Sequence, residues 1–397
     1  MNPTVKSIPQ ALSVYINQLV YELKQRQLDI TTLSMGEAYF NIPSIDFNDI
    51  DYEAGYHYSD SQGLLSLRKK ISDYYYNSHG VKFSSENEIL VTAGSKIVIY
   101  MVMLAILKKG DEVLTHEPAW LSYQEQVKLV GGESSFIPYD VSVECFESYI
   151  TNKTRLIIIN NPNNPQGKIY NKSEIQLIYR LCLKYKIYLL VDEAYSDFVE
   201  GNEFCSAGRA IKELDNLIIV NSLSKNFGMS GWRIGYAITN NELIKELLKL
   251  NQHLITCAAS PLMMYLDKHF ETILNLTRQQ AVLVTKKRNR IVRKAESLGF
   301  MCLPGSATFY IFIDLNEYNG SVFNLALYLL LECKIAVVPG LAYGKSTEKC
   351  IRVSVGTESE SDIIKALKKI QIVINNSDLL KIDVDLLLKK HNLPNYY

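Results

Sequence analysis

Several residues able to do covalent, proton-transfer or anion-binding chemistry fall directly after short apolar runs. "LIIV" (217–220) leads into "NSLSKNFG", which carries Ser222, Ser224 and Lys225, with Arg233 eight residues beyond the lysine. "IYLLV" leads into "DEAYSDF", which carries Asp192 and Tyr195, and "RLIIIN" leads into "NPNNPQG", which carries Asn164. "EILVT" leads into "AGSK", a small-residue turn with Gly94, Ser95 and Lys96. Lysine is costly to bury unless it is paired or chemically used. The unpaired N–H groups and positive dipole end of a helix starting at "AGSK" would attract an anion. Each feature alone has a plain structural explanation: a tight turn, a helix cap, a solvated charge. Converging on one sheet edge, they offer a phosphate cradle, a carboxylate that can keep a ring nitrogen protonated, and an amine that can form a Schiff base with an aldehyde.

The elements that must position these groups are legible in the periodicity. Short, fully apolar strands at 155–160, 187–194 and 217–220 are separated by amphipathic segments such as "NKSEIQLIYRLCLKYK", with Ile175, Ile178, Leu181 and Tyr185 at helical spacing. That alternation indicates a parallel α/β sheet, whose ligands bind at the carboxyl ends of the strands. A long charged helical pattern from about Glu271 to Leu298 ends at Gly299. After it, "ATFYIFIDL", "VFNLALYLLLECK", "IAVVP", "CIRVSV" and "DIIKALKKIQIVI" suggest a smaller α+β unit. The expected organisation is an N-terminal segment (1–45) packing with the small domain, a large α/β domain (46–275) and a small α+β domain (276–397). The N-terminal segment should hold a helix over about Pro9 to Gln25.

The totals narrow the function classes. The chain has 397 residues, 47% of them hydrophobic and 21% charged, which is enough for a large core. The formal net charge of +0 gives no basic footprint for nucleic acid or an anionic membrane. No apolar run approaches the roughly 20 residues of a membrane span, and the start lacks a signal peptide's apolar core. Seven scattered cysteines without a C-x-x-C pair suggest reduced thiols and a cytoplasmic location. Six isolated histidines give no metal motif, so no metal is expected.

The chemistry these groups could do together is that of pyridoxal 5′-phosphate (PLP), whose electron sink requires a lysine imine and an acidic partner for the pyridine nitrogen. The chain resembles the class I/II PLP-dependent aminotransferases, the aspartate aminotransferase-like group of fold type I, over about Ser7 to Ile374. The most specific stretch is "SLSKNFGMSGWRIG". The resemblance implies that Lys225 is the Schiff-base lysine and proton shuttle, that Asp192 keeps the pyridine nitrogen protonated, and that Tyr195 and Asn164 bond the cofactor's phenolic oxygen. Trp120, in "EPAWLSY", would stack on the ring. Gly94, Ser95, Lys96, Ser222, Ser224 and Arg233 would hold the phosphate. Tyr58, in "YSDSQG", stands where the family supplies a phosphate ligand from a neighbouring subunit, which implies a homodimer. Arg352, in "CIRVSVG", would clamp the substrate α-carboxylate with the backbone of Gly36. Trp120 and Asn164 would also face the substrate.

Two departures stand out. Gln166 replaces the family's usual threonine, and "PGSATFYIF" carries "SAT" where relatives have a shorter small-residue and glycine pattern. The segment after about Asn375 lies outside the usual motif set. The expected activity is ping-pong transfer of an amino group between an α-amino acid and a 2-oxo acid. β-Elimination, racemisation, cyclisation or oxidation would start from the same scaffold. A non-catalytic PLP-binding regulator would need a nucleic-acid-binding module, which is not seen in the sequence.

Overall fold

A computed structural model describes residues 1–42, 48, 50–201, 203–315, 317–376 and 383–393. The centre is a seven-stranded sheet of β2 (Ile89–Thr92), β3 (Glu112–His116), β4 (Glu133–Ile137), β5 (Thr154–Asn160), β6 (Tyr188–Asp192), β7 (Leu217–Ser222) and β8 (Gly235–Ile238). A two-residue strand, β1 (Thr31–Thr32), precedes them. The spatial order is β2-β8-β7-β6-β5-β3-β4, and β8 alone runs antiparallel to its neighbours. Strands β5, β6 and β7 are almost wholly buried, as expected where helices cover both faces of a parallel sheet. One apolar cluster packs Ile157, Ile159, Leu189, Val191 and Ile219 with the helices Leu65–His79 and Lys172–Tyr185. The opposite face packs Leu156, Ile158, Leu190 and Val220 with the helices Ser95–Ile106 and Asn241–Leu254. This α/β architecture is the fold-type-I sheet anticipated from the sequence.

The second sheet is antiparallel. It contains β9 (Met301–Cys302), β10 (Tyr310–Asp314), β12 (Val338–Pro339) and β13 (Cys350–Ser354), in the order β12-β13-β10-β9. Its remaining neighbour, β11 (Ile335–Ala336), instead pairs in parallel with β1 near the N-terminus. The chain continues from β1 alongside β13. Ser354 N donates to Leu33 O at 2.7 Å, and a Cβ on Gly356 would lie 2.1 Å from Glu37 O.

Two helix starts differ from the expectation. The long helix begins at Ser260, not near Glu271, and runs to Ser297 with Pro261 in its first turn, where proline's missing N–H costs nothing. It passes without a break through 275–276, where two domains were expected to meet. Tyr265, Phe270 and Ile273 join the large sheet's core, whereas Ala281, Ile291 and Ala295 join the small sheet's core. The N-terminal helix is Leu12–Gln25 and follows a single turn at Pro3–Lys6. The expected 45–46 boundary lies outside the described residues.

Candidate active site

The ends of the large sheet's strands and the edge of β13 enclose a cavity of about 650 Å³. Register brings Asn160 of β5 level with Asp192 of β6, so the segments that follow β5, β6 and β7 emerge side by side. Asn164, Asp192, Tyr195, Ser222, Ser224, Lys225 and Arg233 all line the cavity, together with Gly36, Ser95, Lys96, Trp120 and Arg352. Two of the residues singled out in the sequence stand apart from it. Gly94 lies just behind Ser95, and Tyr58 is 84% exposed beside Tyr56, His57 and Ser260.

Lys225 sits in a four-residue helix whose first residue follows the end of β7. Its Nζ donates to Gly36 O at 2.5 Å. Burial pushes the lysine pKa down to about 8; Glu37 opposes the shift, and the positive charges of Arg352, Arg233 and Lys96 reinforce it. The next residue, Asn226, donates from Nδ2 to Ser196 Oγ at 2.8 Å, tying this turn to the loop that follows Asp192.

Asp192 is buried, and burial raises its pKa. The rise is restrained by Tyr123 Oη, which donates to Oδ2 at 2.6 Å, and by Ala194 N, which donates to Oδ1 at 3.1 Å. The adjacent Glu193 accepts hydrogen bonds from Tyr75, Ser206 and Ala207 N, and burial moves it up to about 7. Asn164 donates from its backbone N to Asn160 Oδ1 at 2.6 Å and from Nδ2 to Tyr195 Oη at 3.1 Å. Its Oδ1 is buried without a partner. Tyr195 Oη lies 3.2 Å from Tyr310 Oη.

At one end of the cavity the helix Ser95–Ile106 begins after Gly94, which adopts φ 88°, with no side chain capping its first N–H groups. Close approach explains two glycines here. A Cβ on Gly94 would lie 2.6 Å from Arg233 Nη2, and one on Gly235 would lie 2.3 Å from Ser95 N. Arg233 Nη1 also donates to Ser224 Oγ at 3.3 Å. Lys96 Nζ lies 5.0 Å from the Trp120 ring centroid, and burial followed by the Arg233 charge lowers its pKa. Uncapped helix N–H groups, a guanidinium and serine hydroxyls can make an anion cradle.

At the other end, Arg352 is 4% exposed. Its Nη2 donates to Ser34 O at 2.6 Å, its guanidinium lies 4.4 Å from the Tyr310 ring and 5.4 Å from the Tyr343 ring, and its Nε is buried without an acceptor. Ser34 Oγ in turn donates to Asn17 Oδ1 at 2.6 Å, and Asn17 lines the cavity from the N-terminal helix. Tyr123, Tyr310, Ser34 and Asn17 escaped the sequence reading. Tyr123 carried a signal in the "EPAWLSY" spacing; the others are polar residues without a local motif.

Behind the cavity, the two departures noted in the sequence meet. Arg288, 1% exposed, donates to Tyr310 O at 2.9 Å, to Gln166 O at 3.3 Å and to Gly305 O. Ser306 N and Ala307 N both donate to Gly167 O. A Cβ on Gly305 would lie 2.3 Å from Gln166 O, so the two loops pack backbone against backbone. Among the described residues no cluster of side chains suits a metal ion, and no helix is long and apolar enough to cross a membrane.

A mostly parallel sheet with a lysine, a carboxylate and an anion cradle at its strand ends defines a fold-type-I transferase. The chain matches the family described as aminotransferase class I and II over residues 51–370, and it belongs to that family. It is 31% identical to the (5-formylfuran-3-yl)methyl phosphate transaminase of Methanocaldococcus jannaschii, over 90% of this chain and 95% of the relative. It is 30% identical to an aspartate aminotransferase of Bacillus sp. (strain YM-2), over 89% and 94%. Among solved structures, the aspartate aminotransferase of Thermus thermophilus with maleate superposes with a TM-score of 0.83 at 26% identity, covering 93% of this chain and 99% of the other. A Methanococcus jannaschii protein described as similar in its active site to kynurenine aminotransferases gives 0.84 at 28% identity, covering 94% and 100%. The chain is an aminotransferase.

Proposed function

We propose that the cavity holds pyridoxal 5′-phosphate and that the enzyme exchanges an amino group between an α-amino acid and a 2-oxo acid in two half-reactions. The observation that carries this reading is the convergence of the Lys225 amine, the buried Asp192 carboxylate and the Arg352 guanidinium on one cavity. The residues present suit the cofactor. The uncapped helix start at Ser95 and the Arg233 guanidinium suit a phosphate. Asn164 Oδ1 and Arg352 Nε are buried polar atoms without a partner, on residues that line the cavity.

When bound, the cofactor supplies a carbonyl for amines and an electron sink for charge developing at the substrate Cα. Gly94, Ser95, Lys96, Ser222, Ser224 and Arg233 hold the phosphate, and Trp120 covers the ring. Asp192 keeps a proton on the ring nitrogen, while Asn164 and Tyr195 hold the phenolic oxygen. Arg352 binds the α-carboxylate through its planar fork, with Gly36 at the same end. Lys225 anchors the cofactor and then carries the proton taken from Cα. Its depressed pKa leaves a large neutral fraction near pH 8, as a proton acceptor requires. The exposed Tyr58 suits a role across a homodimer interface, completing the neighbouring phosphate site. The seven free cysteines fit a cytoplasmic enzyme.

The test is to load the protein with cofactor, record its visible absorbance, and add single amino acids without an oxo acid. Loss of the band with one-for-one oxo acid release, reversed by a second oxo acid, is the expected result. Ammonia release without an acceptor would indicate elimination chemistry instead.

A further inference from the structure

Residues 383–393 lie beyond the span matched by the family. They form a helix, Val384–Lys390, followed by a turn that leads to Leu393. Leu388 and Leu393 are buried in one apolar cluster with Leu12, Ile16, Leu19 and Leu23 of the N-terminal helix and with Leu327, Leu330 and Leu331 of the helix Val322–Leu331. The apolar contact is reinforced by polar ones. Arg26, at the C-terminal end of the N-terminal helix, donates to His391 O and, at 3.0 Å, to Asn392 O. Lys390 Nζ and His391 Nε2 lie 2.7 and 3.1 Å from Glu332 Oε1.

The other side of the same N-terminal helix faces the active site. Ala11, Ser13, Val14 and Asn17 line the cavity. Asn17 accepts from Ser34 Oγ, and Ser34 O accepts from Arg352 Nη2. The helix is therefore a two-sided wall between the C-terminal segment and the guanidinium at the cavity's end.

We propose that the segment 383–393 is a brace for substrate binding. By filling the outer side of the N-terminal helix, Leu388 and Leu393 hold Asn17 and Ser34 in place, and so fix the orientation of Arg352. Leu388 and Arg26 are positioning residues: neither lines the cavity, and both act through the helix. The proposal rests on the reading of Arg352 as the carboxylate clamp. A fork that must meet a carboxylate with two parallel hydrogen bonds loses affinity when its orientation loosens. A group acting on binding alone shifts KM and leaves the chemical step intact.

The test uses full-length, cofactor-loaded protein carrying Leu388→Asp or Arg26→Ala, with Arg352→Lys as a reference. The expected result is a KM for amino acid raised about fivefold or more, with kcat within about twofold of the parent. The visible absorbance of the cofactor should not change. Should Leu388→Asp fail to fold, Arg26→Ala decides, because its side chain is at the surface end of the helix. Unchanged KM in the folded variants, with KM raised in Arg352→Lys, would overturn the brace alone. Unchanged KM in Arg352→Lys would overturn the clamp on which it rests. A proportional loss of kcat, absorbance and folded protein in both variants would reduce the segment to a stabilising role and also overturn the proposal.

Discussion

Tyr123 Oη donates to Asp192 Oδ2 at 2.6 Å, so the carboxylate at the end of β6 is held from the helix Ser122–Leu129 and not from its own sheet. This bond keeps the buried carboxylate more acidic than burial alone would. Asp192→Asn is expected to fold and to lower kcat by about 10²–10⁴-fold. Tyr123→Phe removes a bond that favours the ionised form, so the acid limb of the kcat–pH profile should move to higher pH. A profile that stays in place would show that Asp192 does not govern that limb.

Lys225→Ala should reduce turnover by about 10³-fold or more and abolish the visible absorbance of the loaded protein. Because the folded lysine has a pKa near 8 and an unfolded one near 10.5, the native state binds fewer protons between those values. Stability of the cofactor-free protein should therefore rise as pH increases from about 8 toward 10.5, and burial's penalty is fully felt below 8. The rate of cofactor uptake should rise through the same lower midpoint. Glu37→Gln removes a charge that favours the protonated amine, so that midpoint should move to lower pH. Stopped-flow uptake measurements from pH 6.5 to 9.5 would check both.

Gly235→Ala would press a methyl group against Ser95 N, at the start of the helix that cradles the proposed phosphate. Cofactor affinity should fall by about tenfold or more, equivalent to about 1.4 kcal/mol. Inorganic phosphate should lose its ability to compete for the site. Retained competition would remove this helix start from the anion site.

Arg352→Lys keeps the charge and loses the planar fork. With the ring stacking on Tyr310 and Tyr343 also lost, KM for amino acid should rise by about 10–100-fold, while cofactor absorbance is retained. Steady-state kinetics against several amino acids would separate this from a loss of cofactor.

The residues that line the cavity at the ends of β5, β6 and β7 were legible because fully apolar strands advertise themselves and their carboxyl ends are where α/β sheets bind ligands. Asn164, Asp192, Tyr195 and Lys225 follow directly. What escaped lies at long sequence separation. Tyr123 reaches Asp192 across 69 residues, and Arg352 reaches Ser34 across 318. No periodicity reports such pairings, because they depend on how helices and sheets pack. The long helix was begun too late because its first two turns, around Pro261, Met263 and Tyr265, bury against the large sheet, and the expectation followed the charged face further on. The partners of Leu388 and Leu393, beyond Asn375, lie in the N-terminal helix at the other end of the sequence, where no local pattern could point to them.

Arg288 has a thermodynamic consequence. Its guanidinium satisfies carbonyl oxygens of the loop after β5, the loop before β10 and β10 itself, without an intervening carboxylate. Opening either half alone would leave a desolvated cation and orphaned carbonyls in the half still closed. The two halves are thus expected to melt as one cooperative unit, giving a single calorimetric transition. Arg288→Met should split or broaden it, because the backbone pairing between the loops would then be all that joins them there.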